Sequence, residues 1–456
     1  MHYSKTNRKS AGYHQTIRRI IGSIAVLYLL APLSVLAQDD VYPARDYKGK
    51  LYITGGTVHI GNGQVVEGGT IAVDNGKIVQ VGQHIAVPSG SDVKVIDARG
   101  RQIYPGLILP VTDLGLKEIA NGVRGSNDYE ELGDLNPSVR SIVAYNTDSK
   151  IINTLKANGI LLASITPAGG TISGSSTVVQ LDAWNWEDAA YKADGAIHVN
   201  MPSFIVRPRR FGRRGAEPST DPTKEALDKV EEIKTFFREA KAYYQMPAHK
   251  ETNLKFEATK KLFSKQQKLF VHGDQVKQML VAVDFAKEFG FDVVIVGGSE
   301  SWLIAPLLKA NNIAVILNQE HALPTTEDDD VDQPYKTPAQ LQKAGVLFAL
   351  NDDHDESRYR NLMFNAGTAA AYGLTKEEAL QAITLNSAKI LGIDDRTGSL
   401  EAGKDANIVI SGGDILDMRT SLIEHCFIQG REVSLDNKQT QLYRRYMYKY
   451  GLPLTP

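Results

Sequence analysis

Both ends of this chain are written in strand and turn, while the long stretch between them alternates helix with strand. Few architectures accommodate that order. From Lys50 to Asp97, LYITGGTVHI, GGTIAVDNGKIVQVG and VKVIDARG alternate apolar and polar residues between glycine turns. Asn75-Gly76 predicts a tight hairpin, because that pair accepts the positive φ angles of a type I′ turn. Similar text returns in ANIVISGG from Ala406 and LIEHCFIQGREV from Leu422. The expectation is one small sheet made from both ends, with a large domain inserted between its halves.

The middle has a regular rhythm. DSKIINTLKANG (148–159) has helical spacing and ends in Gly159, and ILLASITP follows as a buried strand. After Gly290 come DVVIVGG, SESWLIAPLLKANN, IAVIL, TPAQLQKAG and VLFALND. Continuous apolar strands between helices imply parallel βαβ units buried on both faces. About eight such units fit between Tyr104 and Gly392, as a barrel needs; from rhythm alone a doubly wound sheet stays open. At 456 residues the chain exceeds one ordinary core, yet a barrel of roughly 250–400 residues with one appended domain fits.

Composition narrows the partners. Lys+Arg 51 against Asp+Glu 53 leaves a formal net charge of -2, whereas nucleic-acid binding wants a strong positive excess, so no nucleic-acid partner is expected. Lys5, Arg8, Lys9, Arg18 and Arg19 precede the apolar run Ile20–Ala37, which closes in Val35-Leu36-Ala37 before the polar Gln38-Asp39-Asp40. That order describes a secretory signal, with an uncleaved anchor as the rival, so a periplasmic or secreted protein without stable membrane insertion after processing is expected. Cys426 is the only cysteine; no intrachain disulfide can form, and an inert buried thiol is expected.

Three stretches break the rhythm. RPRRFGRRGAEP (207–218) is a solvated loop or a substrate lid, and the acidic TTEDDDVDQ (325–333) is a surface loop or part of a functional rim. LYRRYMYKY, near the C-terminus, has helical spacing and is expected to pack on the core.

Tyr104-Pro105-Gly106-Leu107-Ile108 and the long run LTKEEALQAITLNSAKILGIDDRTGSLEAGKDANIVI (374–410) carry a resemblance. They are similar to the amidohydrolase superfamily, in particular its exported imidazolonepropionase-like group, over about residues 48–435. The resemblance implies an α/β fold: a (β/α)8 TIM-type barrel with a small β-sandwich built from both chain ends. The domains then read as signal peptide 1–37, first sandwich part 38–104, barrel 105–396, second sandwich part 397–435 and tail helix 436–456. It further implies hydrolysis of carbon–nitrogen bonds other than peptide bonds, such as those of cyclic amides. A divalent metal, zinc first, would sit at the C-terminal mouth of the barrel.

The family's ligands are Asp-x-His-x-His on the first strand, a His on the fifth and an Asp on the eighth. Here the first-strand motif reads Leu109-Pro110-Val111-Thr112-Asp113. Val111 cannot bind a metal, and Asp113 offers only an oxygen. LFVHGD keeps His272; VIVGG puts Gly297 or Gly298 where the sixth-strand His belongs; LFALNDDHDESR offers Asp352 or Asp353, with His354 following. His198, in GAIHVN, stands near the fourth-strand position. The expected metal set is therefore at most Asp113, His272 and Asp353, with Asp353 also the catalytic acid–base. For His272 an ordinary hydrogen bond in the mouth, and for Asp113 a turn role, remain open. PAGGTISGSSTVVQL (167–181) reads equally as a ligand-cradling loop or a tight crossover. Two functions follow: a divergent hydrolase with a degraded metal site, or an impaired barrel that binds a small ligand, a homologous amidohydrolase subunit or another copy of itself.

Overall fold

The computed structural model describes residues 41–118, 128–205, 221–318, 321–324, 326, 328–352 and 358–454. The segment 1–37 expected to be a signal, the arginine-rich 207–218, and Asp353 with His354 lie outside the described residues. The chain divides at Tyr42/Pro43, and the unit from Pro43 onward holds both of its sheets.

Eight strands form the composite sheet. Five come early: β1 (Lys50–His59), β2 (Val65–Asp74), β3 (Lys77–Gly82), β4 (Val93–Asp97) and β5 (Gln102–Pro105). Skipping the barrel, β14 (Ile408–Ser411), β15 (Ile423–Ile428) and β16 (Arg431–Val433) extend the order to β16-β15-β14-β5-β1-β2-β3. The expected hairpin is present, with Asn75 at φ 47° and Gly76 at φ 78°. One edge of β1 pairs first with β4, Lys50 to Thr54, and then with β5 from Thr57. The hand-over falls at Gly55-Gly56, where φ is 78° at Gly55 and a Cβ on Gly56 would lie 2.6 Å from Ile103 Cδ1. Glycine lets the sheet bend there and enclose a core. Leu51, Ile53, Ile71 and Ile78 fill it from the first part, and Ile408, Ile410 and Phe427 from the second. Fully burying each such side chain is worth about 1.5–3 kcal/mol, so neither part is stable without the other.

The Gly-Lys-Asp-Ala step has a structural role. Asp405, nearly buried, accepts from Lys77 (2.5 Å), Arg396 (3.1 Å) and the Tyr191 hydroxyl. The Arg396 guanidinium lies 3.8 Å from the centre of the Tyr191 ring. Asp405 thus ties the β2–β3 hairpin to the barrel.

The barrel strands are β6 (Leu107–Thr112), β7 (Ile160–Ile165), β8 (Ile172–Gln180), β9 (Ala190–Asn200), β10 (Lys268–Gly273), β11 (Val293–Gly297), β12 (Ala314–Leu317) and β13 (Phe348–Leu350). They form one eight-stranded sheet in sequence order. Its two ends approach at a seam where the Val111 N–H donates to Asn351 Oδ1 (3.3 Å). The doubly wound alternative is excluded, since that fold shuffles its strand order. One strand departs from a fully parallel barrel: β8 runs antiparallel to both β7 and β9. The six residues 166–171 between β7 and β8 leave no length for a crossover helix, and a parallel connection needs a dozen or more.

Cys426 is buried, and burial pushes its thiol well above the ordinary range, as an inert small hydrophobe requires. The tail helix, Lys438–Tyr450, corrects an expectation: it holds no buried residue and does not pack into the core. Its apolar positions are mostly tyrosines, whose hydroxyls tolerate water, and Arg444, Arg445 and Lys449 interrupt its turns. It is fastened at its start, through Gln439 to Thr154 (3.0 Å) and Arg444 to Asp436 (2.7 Å). Among the described residues no helix is long and apolar enough to cross a membrane.

Candidate functional site at the barrel mouth

Side chains at i and i+2 of a strand share a face, so the parallel pairing of β9 with β10 fixes what meets at the mouth. His198 pairs with Phe270, and Asn200 with His272. All four lie on one face, and the two imidazoles meet diagonally, His198 Nδ1 to His272 Nε2 at 2.8 Å. His198 is fully buried, edge-on to Phe270 at 5.1 Å. Burial, with the neighbouring His272, holds His198 well below its ordinary value; burial pushes His272 down to about 4, against the opposing pull of Asp274. Both rings are neutral at neutral pH.

The first strand delivers no imidazole. Val111 is buried in the barrel core. Asp113 takes the hydroxyl hydrogen of Tyr359 and has Lys117 Nζ at 3.8 Å, so its carboxylate is already engaged. At the sixth strand the glycines are required by the backbone. Gly297 has φ 102°, and a Cβ there would lie 2.7 Å from Asp274 Oδ1; Gly298 has φ 64°, with Val315 Cγ1 at 2.8 Å. The strand end closes instead around Asp274, whose Oδ1 accepts from the Ser299 hydroxyl at 2.7 Å. On the eighth strand Asp352 is fully buried, taking a hydrogen bond from Asn365 (3.1 Å) with Arg358 at 3.7 Å. Asn351 beside it donates to Asn318 Oδ1 at 3.0 Å.

The glycine-rich 167–181 stretch serves as a tight crossover. The N–H groups of Thr171 and Ile172 donate to the Asp134 carbonyl. The Gly170 carbonyl and Ser173 hydroxyl hold the Asn200 amide at 2.8 and 2.9 Å. These contacts orient Asn200. What the mouth does offer is a cavity of about 450 Å³ walled by Asn200, Ser203, His272, Asp274, Gln275 and Asn318.

The structure therefore brings His272 to the mouth, turns Asp113 to Tyr359, and leaves Asp353 outside the described residues. Among the described residues no three His, Cys, Asp or Glu side chains converge as a metal site. A catalytic zinc takes three protein ligands, usually rich in nitrogen. The described donors do not fit that group: the first-strand position is apolar, Asp113 is paired, and His272 Nε2 faces another imidazole. Sequence reasoning missed Asn318, Asn351 and Tyr359, whose residue types carry no metal or catalytic signature. It named His198 without foreseeing its contact with His272.

Residues 229–435 match the model of the amidohydrolase family. The chain is 26% identical over 362 residues to an imidazolonepropionase of Mesorhizobium japonicum, covering 72% of this chain and 82% of that protein. A second imidazolonepropionase, from Symbiobacterium thermophilum, is 26% identical over 71% of this chain and 78% of its own. Among solved structures, an amidohydrolase from Thermotoga maritima superposes with a TM-score of 0.71 at 29% identity, over 84% of this chain and 99% of that one. A prolidase solved with N-methylphosphonate-L-proline, at 15% identity and a TM-score of 0.52, shares the fold. The barrel, the β-domain built from both chain ends and these matches agree: residues 229–435 carry an amidohydrolase-family domain, and the chain has the fold of amidohydrolase-superfamily structures.

Proposed function

We propose that this protein is an exported hydrolase of the superfamily, acting at the barrel mouth on non-peptide carbon–nitrogen bonds of small cyclic amides, with a degraded metal site. One observation carries the reading: a cavity of mixed polar and apolar walls with a neutral imidazole, His272, stands at the C-terminal ends of the barrel strands, where barrel enzymes do their chemistry. The names of the related imidazolonepropionases support a ring amide as the substrate class. Superfamily members typically use a divalent metal, and zinc would be the first to try here. The described donors do not fit a full ligand set. This chain's own groups position the substrate: Asn318 and the Asn200–Ser203 wall surround it, and His272 exchanges a hydrogen bond with it. Neutral at neutral pH, His272 can give the substrate oxygen a hydrogen bond but no positive charge, so slow turnover is expected.

A second reading is favoured by Val111 and Gly297, which remove two side-chain positions of the family site. In it, the barrel binds a ring amide without opening it, alone or beside a catalytic homologue. The test is ring opening of 4-imidazolone-5-propionate and of hydantoin by the mature protein, with binding measured in parallel. Slow turnover lost in His272→Gln supports the hydrolase. Binding without turnover supports the second reading, and neither binding nor turnover contradicts both.

A further inference from the structure

His198 is an imidazole of the mouth that a ligand cannot reach: it is fully buried, and its Nε2 is a buried atom with no hydrogen-bond partner among the described residues. Its Nδ1 lies 2.8 Å from His272 Nε2. A neutral imidazole carries one proton, so only two arrangements satisfy that contact. In the first, His198 Nδ1–H donates to His272 Nε2, and the buried His198 Nε2 is a bare lone pair. In the second, His272 Nε2–H donates to His198 Nδ1, and His198 must carry its proton on Nε2, as a buried N–H with nothing to receive it. Orphaned buried N–H groups are the rarer defect in folded proteins, and under-satisfied acceptors are better tolerated. The first arrangement has the lower cost.

Its consequence falls on His272. With Nε2 accepting from His198, the His272 proton sits on Nδ1. That atom has no hydrogen-bond partner among the described residues, and His272 is a wall of the cavity. We infer that His198 is a positioning residue that locks His272 as an Nδ1–H donor, so that the mouth captures ligands through a carbonyl or carboxylate oxygen and His272 does not serve as a metal ligand. Neither His272 nitrogen is then free for a cation: Nε2 is occupied by His198 and Nδ1 carries the proton. The inference rests on the mouth being the ligand site proposed above, but its primary test does not depend on turnover.

The test is ring-nitrogen NMR of the full mature protein labelled with ¹⁵N, comparing wild type with His198→Asn and His198→Leu. Asparagine keeps an amide N–H near the place of the imidazole Nδ1, whereas leucine removes the donor. Wild type should show His272 protonated at Nδ1 only, with an unprotonated, hydrogen-bonded Nε2. His198→Asn should keep that pattern, and His198→Leu should lose it while the other histidine signals stay as they were. Hydantoin and succinate serve as neutral and anionic acceptor probes. At least one should shift the His272 Nδ1 signal, and its affinity should fall roughly tenfold in His198→Leu, the size of one hydrogen bond, and recover in His198→Asn. Added zinc should leave the His272 signals unmoved in wild type. A proton on His272 Nε2, a zinc-induced shift of His272 in wild type, or failure of both probes to move Nδ1 overturns the inference. Absence of ring opening alone would count against the hydrolase and leave this inference standing.

Discussion

Asp182 is the most informative residue to perturb for the architecture. Its fully buried carboxylate follows β8 and meets Lys156 Nζ at 2.8 Å and Arg431 at 3.5 Å, while the Ala44 N–H donates to it at 2.8 Å. Lys156 ends a barrel helix, Arg431 begins β16, and Ala44 leads into β1, so one carboxylate joins barrel, sheet and entry segment. Asp182→Asn keeps the shape and removes the charge, leaving a nearly buried lysine without its counter-ion. Breaking a buried pair from one side costs about 3–5 kcal/mol. The folded body spans Pro43 onward, on the order of 400 residues, and about 2.1 cal/mol/K per residue gives an unfolding entropy near ~0.9 kcal/mol/K. The melting temperature should therefore fall by about 3–6 °C. Calorimetry of wild type, Asp182→Asn, Lys156→Met and the double variant reads both the shift and the coupling. The double variant should melt above the sum of the single losses, because removing the lysine relieves the stranded charge. A single Asp182→Asn melting within about 1 °C of wild type, or strict additivity, would refute the reasoning.

Three further outcomes are expected. His59 joins the two domains, bonding Glu377 at 2.6 Å and Gln102 at 2.9 Å; burial lowers its pKa, and the bonds and charge of Glu377 outweigh that and raise it above 6.5. A raised folded value means its contribution is fully present below the unfolded value and is lost as pH rises through the folded one. Urea unfolding across that interval should lose stability in wild type and much less in His59→Gln; equal slopes would contradict the assignment. Gly297→Ala combines φ 102° with a Cβ 2.7 Å from Asp274 Oδ1 and should cost about 2–3 kcal/mol, whereas Gly290→Ala, at φ 75° with open space around it, should cost only the left-handed penalty of about 1–2 kcal/mol; a loss at Gly297 no larger than at Gly290 in denaturation would contradict the added close contact. Intact mass of the exported protein should show Gln38 as the mature N-terminus, since the apolar run closes in Val35-Leu36-Ala37; a form that retains Met1 and sediments with membranes would contradict it.

How much of the molecule was legible depends on the range of the signal. The shared sheet was legible because the signal is local: β1 alternates as a half-buried strand does, short apolar runs between glycine turns mark β2 and β14, and edges that would otherwise lie open must find one another. The antiparallel β8 was not. ISGSSTVVQ is buried along its whole length and reads as any buried strand, and its direction is set by the short turn before it. The tail helix misled because a tyrosine stripe has the periodicity of a core face without the need for one. At the mouth, the losses at Val111 and Gly297 were plain from residue type. The contact of His198 with His272 was hidden, because they belong to different strands and meet only through a register that pairs Asn200 with His272.

On the proposed reading the barrel mouth does not assemble the family's metal site, and the zinc content of the protein decides it. The mature protein, purified without chelator, should hold well under one equivalent of zinc. Val111→His combined with Asp113→His should raise that figure by returning two imidazoles to the first strand. A native protein with one full equivalent of tightly bound metal, and turnover abolished in Asp353→Asn, would contradict the account and show that the missing imidazoles are supplied elsewhere in the mouth.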